Sequence, residues 1–187
     1  MKNWQAYARA FMLMICATAV LFVPARTPSA SAQEKQRPES VKLGASGFQV
    51  PRFVSLKSNR VNVRKGPSTE HAVAWVFSRA GLPVEIIAEF ENWRQIRDSE
   101  GSEGWVFHAL LSGRRTALVM PWTKESRSIP LHAKTSNDSN AVAQLEPGVL
   151  GSVHTCDGAW CHFSVEDYTG WIQQKRLWGV YGGEELE

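Results

Sequence analysis

The sequence predicts an all-β protein, two small β-barrels in tandem behind an N-terminal signal peptide. A repeat is the first reason: Trp93 followed by Gly104-Trp105-Val106 recurs as Trp160 followed by Gly170-Trp171-Ile172. The flanks repeat too, Ala72-Val73-Ala74 as Ala141-Val142-Ala143 and Ala80-Gly81 as Pro147-Gly148. Self-similarity at this period means two copies of one small unit rather than one large core. The second reason is the pattern after the leader, where short Val- and Ile-rich runs alternate with Gly, Pro and Asn turns and no stretch keeps a 3.6-residue period.

Residues 1–32 read as the signal peptide, with Lys2 and Arg9 ahead of an apolar run from Phe11 to Val23 and a small-residue exit at Ala30-Ser31-Ala32. The apolar run is shorter than the roughly 20 residues that span a bilayer, so no stable membrane span is expected after cleavage; a retained anchor is the alternative. Cys16 follows the bulky Ile15, which argues against lipid attachment. Cleavage after Ala32 removes Lys2, Arg9 and Arg26, taking Lys and Arg from 21 to 18, the same as the 18 Asp and Glu. A chain without net charge lacks the phosphate-neutralising surplus that nucleic acid demands, so no nucleic-acid partner is expected.

Residues 33–51 are polar, carry Pro38, Gly44, Gly47 and Pro51, and read as a flexible tether. The first barrel is expected over 53–120. Val61 to Arg64 alternates apolar and polar and ends at the turn Lys65-Gly66-Pro67-Ser68. Leu82 to Phe90, Trp93 to Arg97 and Gly104 to Phe107 are the next strands, and Arg114 to Met120 is the closing one. In the turn, Gly66 is expected to supply a positive φ and Pro67 a fixed one. The second barrel is expected over 121–181, with strands at Ile129 to His132, Val149 to Thr155, Trp160 to Val165 and Gly170 to Gln173, and 182–187 reads as a tail. If the barrels pack together, the Trp122 and Trp178 segments are the expected seam.

Val61-Asn62-Val63-Arg64-Lys65-Gly66-Pro67-Ser68-Thr69, then Gly81, Asn92-Trp93 and Gly104-Trp105-Val106, resemble the bacterial SH3-like (SH3b) domain. The second copy matches only the later half of that pattern, through Pro147-Gly148, Asp157-Gly158-Ala159-Trp160-Cys161 and Gly170-Trp171-Ile172, and carries Ile129-Pro130-Leu131-His132 where the Asn-Val-Arg run would stand. The chain as a whole is similar to exported two-copy proteins of Gram-negative bacteria. The resemblance implies two SH3-like barrels in a non-catalytic module, periplasmic or secreted, whose partner is a cell-wall peptide or glycan or an envelope protein. It makes Asn62, Arg64, Trp93 and Trp105 the candidate ligand-binding residues.

Each candidate has a structural reading beside the functional one. Arg64 either contacts a ligand or holds its own loop with its five-donor fork. Trp93 begins its strand and Ile96 lies three residues on, so the two side chains point to opposite faces; Trp93 is expected to be partly exposed, as a recognition surface or as a plug for the barrel end.

Cys156 and Cys161 flank Asp157-Gly158-Ala159-Trp160, and in an exported chain a close pair is expected to be a disulfide. Glu89 and Arg94 stand at the corresponding positions of the first copy, where an exposed ion pair is expected. Zinc on His154, Cys156, Cys161 and His162 is not expected, because the consecutive Cys161 and His162 face opposite sides of a strand. No metal and no cofactor are expected. No nucleophile elbow, His-Glu-x-x-His or phosphate-cradling loop is present in the sequence, so no catalytic residues are assigned and the protein is expected not to be an enzyme.

Overall fold

Val61 and Val63 are fully buried and Asn62 between them is exposed, so the two-residue period of this strand sorts its side chains between core and surface as a pleated strand must. The same sorting recurs along a computed structural model that describes residues 42–123 and 128–187. The expected signal peptide and the first part of the expected tether lie outside the described residues.

The strands are β1 (Lys42–Leu43), β2 (Gln49–Val50), β3 (Arg52–Leu56), β4 (Val61–Arg64), β5 (Val73–Phe77), β6 (Pro83–Phe90), β7 (Trp93–Arg97), β8 (Glu103–Phe107) and β9 (Leu111–Ser112). They continue as β10 (Thr116–Val119), β11 (Ile129–His132), β12 (Ala141–Leu145), β13 (Leu150–Asp157), β14 (Trp160–Val165), β15 (Tyr168–Gln173), β16 (Leu177–Trp178) and β17 (Glu185–Leu186). Single 3-10 turns at His108–Leu110 and Gln174–Arg176 complete the regular structure of the described residues.

The first sheet runs β5-β4-β8-β7-β6-β3-β9 and the second β12-β11-β15-β14-β13-β10-β16, one order repeated strand for strand. Every pair is antiparallel, and the bulges repeat as well, after Val63 and Leu131 and between Ile86/Ala88 and Val153/Thr155. Each sheet wraps its own core. Val54, Leu56, Val61, Val63, Val84, Ile86, Ile96 and Val106 fill the first; Val119, Ile129, Leu131, Val153, Phe163, Ile172 and the two cysteines fill the second.

The repeated Gly-Trp has a steric cause in each copy. A Cβ on Gly104 would collide with the Val63 side chain, and one on Gly170 would stand 2.6 Å from the His132 carbonyl, so only glycine lets β8 and β15 close on β4 and β11. Gly81 and Gly148 share the left-handed conformation, at φ 79° and 81°, and make the same backbone bonds to Leu56 and Val119. Gly66 differs from expectation: its φ is not positive, and a Cβ there would meet the exposed His71 ring, which would have to move aside.

The barrel boundaries also differ from the sequence reading. Arg114 to Met120 does not close the first barrel; its strand β10 pairs with β13 and β16 and buries Ala117 and Val119 in the second core. A two-residue period reveals a strand but not the sheet it joins. Within the expected tether, residues 42–50 form the β1–β2 hairpin, and Val50 is buried in the first core. The Ser46 N–H and hydroxyl bind the Glu89 carboxylate at 2.7 and 2.8 Å. In the expected tail, β17 pairs with Cys156 and Asp157 of β13.

The barrels meet through buried polar contacts and a few aromatic rings. Ser55 and Thr116 join hydroxyl to hydroxyl at 2.6 Å, and Thr116 donates to the Gly81 carbonyl at 2.6 Å. Trp178 packs edge-on against Phe53 and donates its indole N–H to the Pro83 carbonyl at 3.3 Å. The Tyr181 hydroxyl donates to Glu85 at 2.9 Å, and burial together with that carboxylate raises the phenol well above its usual pKa. Trp178 therefore lies in the seam, whereas Trp122 is 53% exposed.

Candidate functional site

Four strands of the first barrel, β4, β6, β7 and β8, present their outer face in cross-strand rows of three. In one row Gln95 of β7 and Arg64 of β4 both pair with Trp105 of β8. A second joins Phe90, Trp93 and Phe107, and a third Glu85, Arg97 and Glu103. Directly opposed residues share a face and touch. Asn62 lies two residues before Arg64 on β4 and is exposed. The candidate residues therefore share one sheet surface, with half-buried Trp105 between a guanidinium and an amide.

Their individual roles are less uniform. Arg64 donates from Nη1 to the His71 carbonyl at 2.6 Å and so ties down the loop that follows β4. In the second barrel His132, paired with Trp171 as Arg64 is with Trp105, places Nδ1 3.1 Å from the Ser139 carbonyl. One staple is thus made twice with different chemistry, although the second copy lacks the Asn-Val-Arg run.

Trp93 departs from expectation. It lies outside the core cluster, on the face predicted, but only 9% of it is exposed because Phe90 and Phe107 flank it, the latter edge-on at 5.6 Å. Those neighbours are the exposed rings, at 50% and 37%. Alternation along one strand fixes direction, whereas burial depends on the adjoining strands. Gln95, Phe90 and Phe107 were not among the sequence candidates; a register drawn from the Trp93 and Trp105 strands would have placed Gln95 and Phe107 beside them.

At the far end of the β6–β7 hairpin, Glu89 opposes Arg94, and in the second barrel Cys156 opposes Cys161 in a disulfide with Cα atoms 4.1 Å apart. Covalent bond and ion pair occupy equivalent positions. The ion pair is buried rather than exposed, with the Glu89 side chain 1% accessible and receiving Arg52 at 2.6 Å and Arg94 at 3.1 Å. Burial alone would raise the Glu89 pKa, but the Ser46 N–H, Arg52 and the Ser46 hydroxyl outweigh it and bring it down to about 2. Among the described residues no group of three or more His, Cys, Asp or Glu side chains is placed to hold a metal. No helix of the described residues is long and apolar enough to cross a membrane.

Two solved structures from Trichomonas vaginalis, NlpC2 and NlpC1, align at 14% identity with TM-scores of 0.31 and 0.30, over 70% and 72% of this chain. The chain covers 49% and 48% of them, about half their length, and likeness at that level carries no argument about fold or activity. No curated protein matches. The family described as "Bacterial SH3 domain" matches at residues 57–113 and again at 126–179, more than half of the sequence and once for each of the two sheets, so the chain belongs to the bacterial SH3 domain family.

Proposed function

We propose that the protein is a non-catalytic binding module, exported to the periplasm or secreted, that contacts cell-wall peptidoglycan or its peptides through the outer sheet face of the first barrel. The observation that carries this reading is the row Arg64–Trp105–Gln95 with exposed Asn62 beside it. A half-buried indole flanked by a guanidinium and an amide offers an apolar plane with hydrogen-bond donors at its edge, a combination suited to a peptide or sugar. The disulfide supports an oxidising location.

The test is retention on purified sacculi, wild type against Trp105→Ala. Retention of the wild type and its loss in the variant supports the reading, and a wild type that washes through disposes of it. A second reading, a docking scaffold for an envelope protein, is favoured by the exposed rings of Phe90 and Phe107. A crosslinked partner that is lost in Phe107→Ala while sacculus binding is absent would select it.

A further inference from the structure

We propose that His154 and His162 form a site for a divalent transition-metal ion, Cu(II) above all, on the outer face of the second barrel. The bulge between Val153 and Thr155 leaves His154 without a cross-strand partner and stands it beside His162 of β14, ring centroids 5.5 Å apart. Two imidazoles on one ion, each at a metal–nitrogen distance of about 2.0–2.1 Å, hold their centroids about 4.5–5.5 Å apart for bond angles between square-planar and somewhat wider than tetrahedral. The observed pair stands at the wide end of that range, and His154 is exposed.

Neighbouring groups suit the same role. The His154 Nε2 lies 2.8 Å from the Ser164 hydroxyl. In the tautomer where Nε2–H donates, Nδ1 keeps the lone pair a metal requires, and the hydroxyl fixes the ring as an outer hydrogen bond does for ligating histidines. The disulfide removes Cys156 and Cys161 as ligands, leaving imidazole nitrogens and water. Such a set favours Cu(II), then Ni(II) or Zn(II), over Ca²⁺ and Mg²⁺. His132, the other histidine of this face, has its Nδ1 engaged by the Ser139 carbonyl and is buried.

The first barrel supplies an internal control. Gln95 stands where His162 does, each opposite the tryptophan of its copy, and the residue at the equivalent bulge is Ile87. The site therefore belongs to the second copy alone. Trp171 reports on it, its ring 5.0 Å from that of His162.

The protein, purified without a polyhistidine tag, is titrated with Cu(II) while tryptophan fluorescence and calorimetry are recorded. One saturable equivalent with quenching is expected. His154→Ala, and His162→Gln, which carries the first barrel's side chain, should each weaken it about tenfold or more. Trp171→Phe should keep the calorimetric binding and lose most of the quenching. Equal affinity in both histidine variants would place the copper elsewhere and overturn the proposal, as would the absence of saturable uptake or undiminished quenching in Trp171→Phe.

Discussion

Replacing Glu89 with Gln removes one charge from a carboxylate that two arginines and Ser46 surround. The Glu89 side chain is 1% accessible, and the Arg52 and Arg94 side chains are 22% and 11% accessible. Folding lowers the pKa from 4.5 to about 2. At 1.36 kcal/mol per unit, that shift is worth about 3 kcal/mol at neutral pH, close to the cost of breaking a buried ion pair. Because the folded pKa is the depressed one, the stabilisation is complete above about pH 4.5 and is lost as the pH falls towards 2. Urea unfolding of wild type and Glu89→Gln at pH 7 and at steps down to pH 2 measures it. With urea m-values of roughly 1–3 kcal/mol/M, the midpoint of the variant should fall by about 1–3 M at pH 7, and the two proteins should converge in acid. Equal midpoints at pH 7, or a gap that persists unchanged to pH 2, would refute the assignment of this stability to the Glu89 charge.

Two further expectations concern the second hairpin and the buried ring. Unreduced protein should leave Cys156 and Cys161 unalkylated after denaturation, and replacing both with Ser should cost about 2 kcal/mol for so short a loop, seen in the urea midpoint. Trp93→Ala should lower stability by about 3–5 kcal/mol, as a large buried aromatic does, whereas Trp105→Ala should cost clearly less and change binding instead; thermal melts by circular dichroism separate the two.

The parts of this fold legible in the sequence are those fixed by short-range chemistry. Gly104-Trp105 and Gly170-Trp171 marked the repeat because the close approach of two strands admits no Cβ there. The alignment of Glu89–Arg94 with Cys156–Cys161 followed from counting along two equivalent hairpins, and both pairs are in register. Long-range facts were not legible. Nothing in Thr116–Val119 itself tells which sheet it enters, and nothing in Trp93 foretells that Phe90 and Phe107 will flank it. The substitution of His132 for Arg64 was hidden because an imidazole and a guanidinium share only a donor, and only the paired loops show that both hold the same carbonyl position.

The contact between the barrels bears on how such a chain can change over time. Ser55 and Thr116 are 1% and 3% exposed and satisfy one another across the seam, and Glu85 takes its hydrogen bond from Tyr181. Loss of the second copy by deletion would strip Ser55 of that partner and expose Phe53, and loss of the first would do the same to Thr116 and Trp178, an immediate cost to the half that remains. A tandem duplication joined in this way is a ratchet: each copy is free to drift in its surface chemistry, towards Arg64 and Gln95 in one and His132 and His162 in the other, while the chain is bound to keep both.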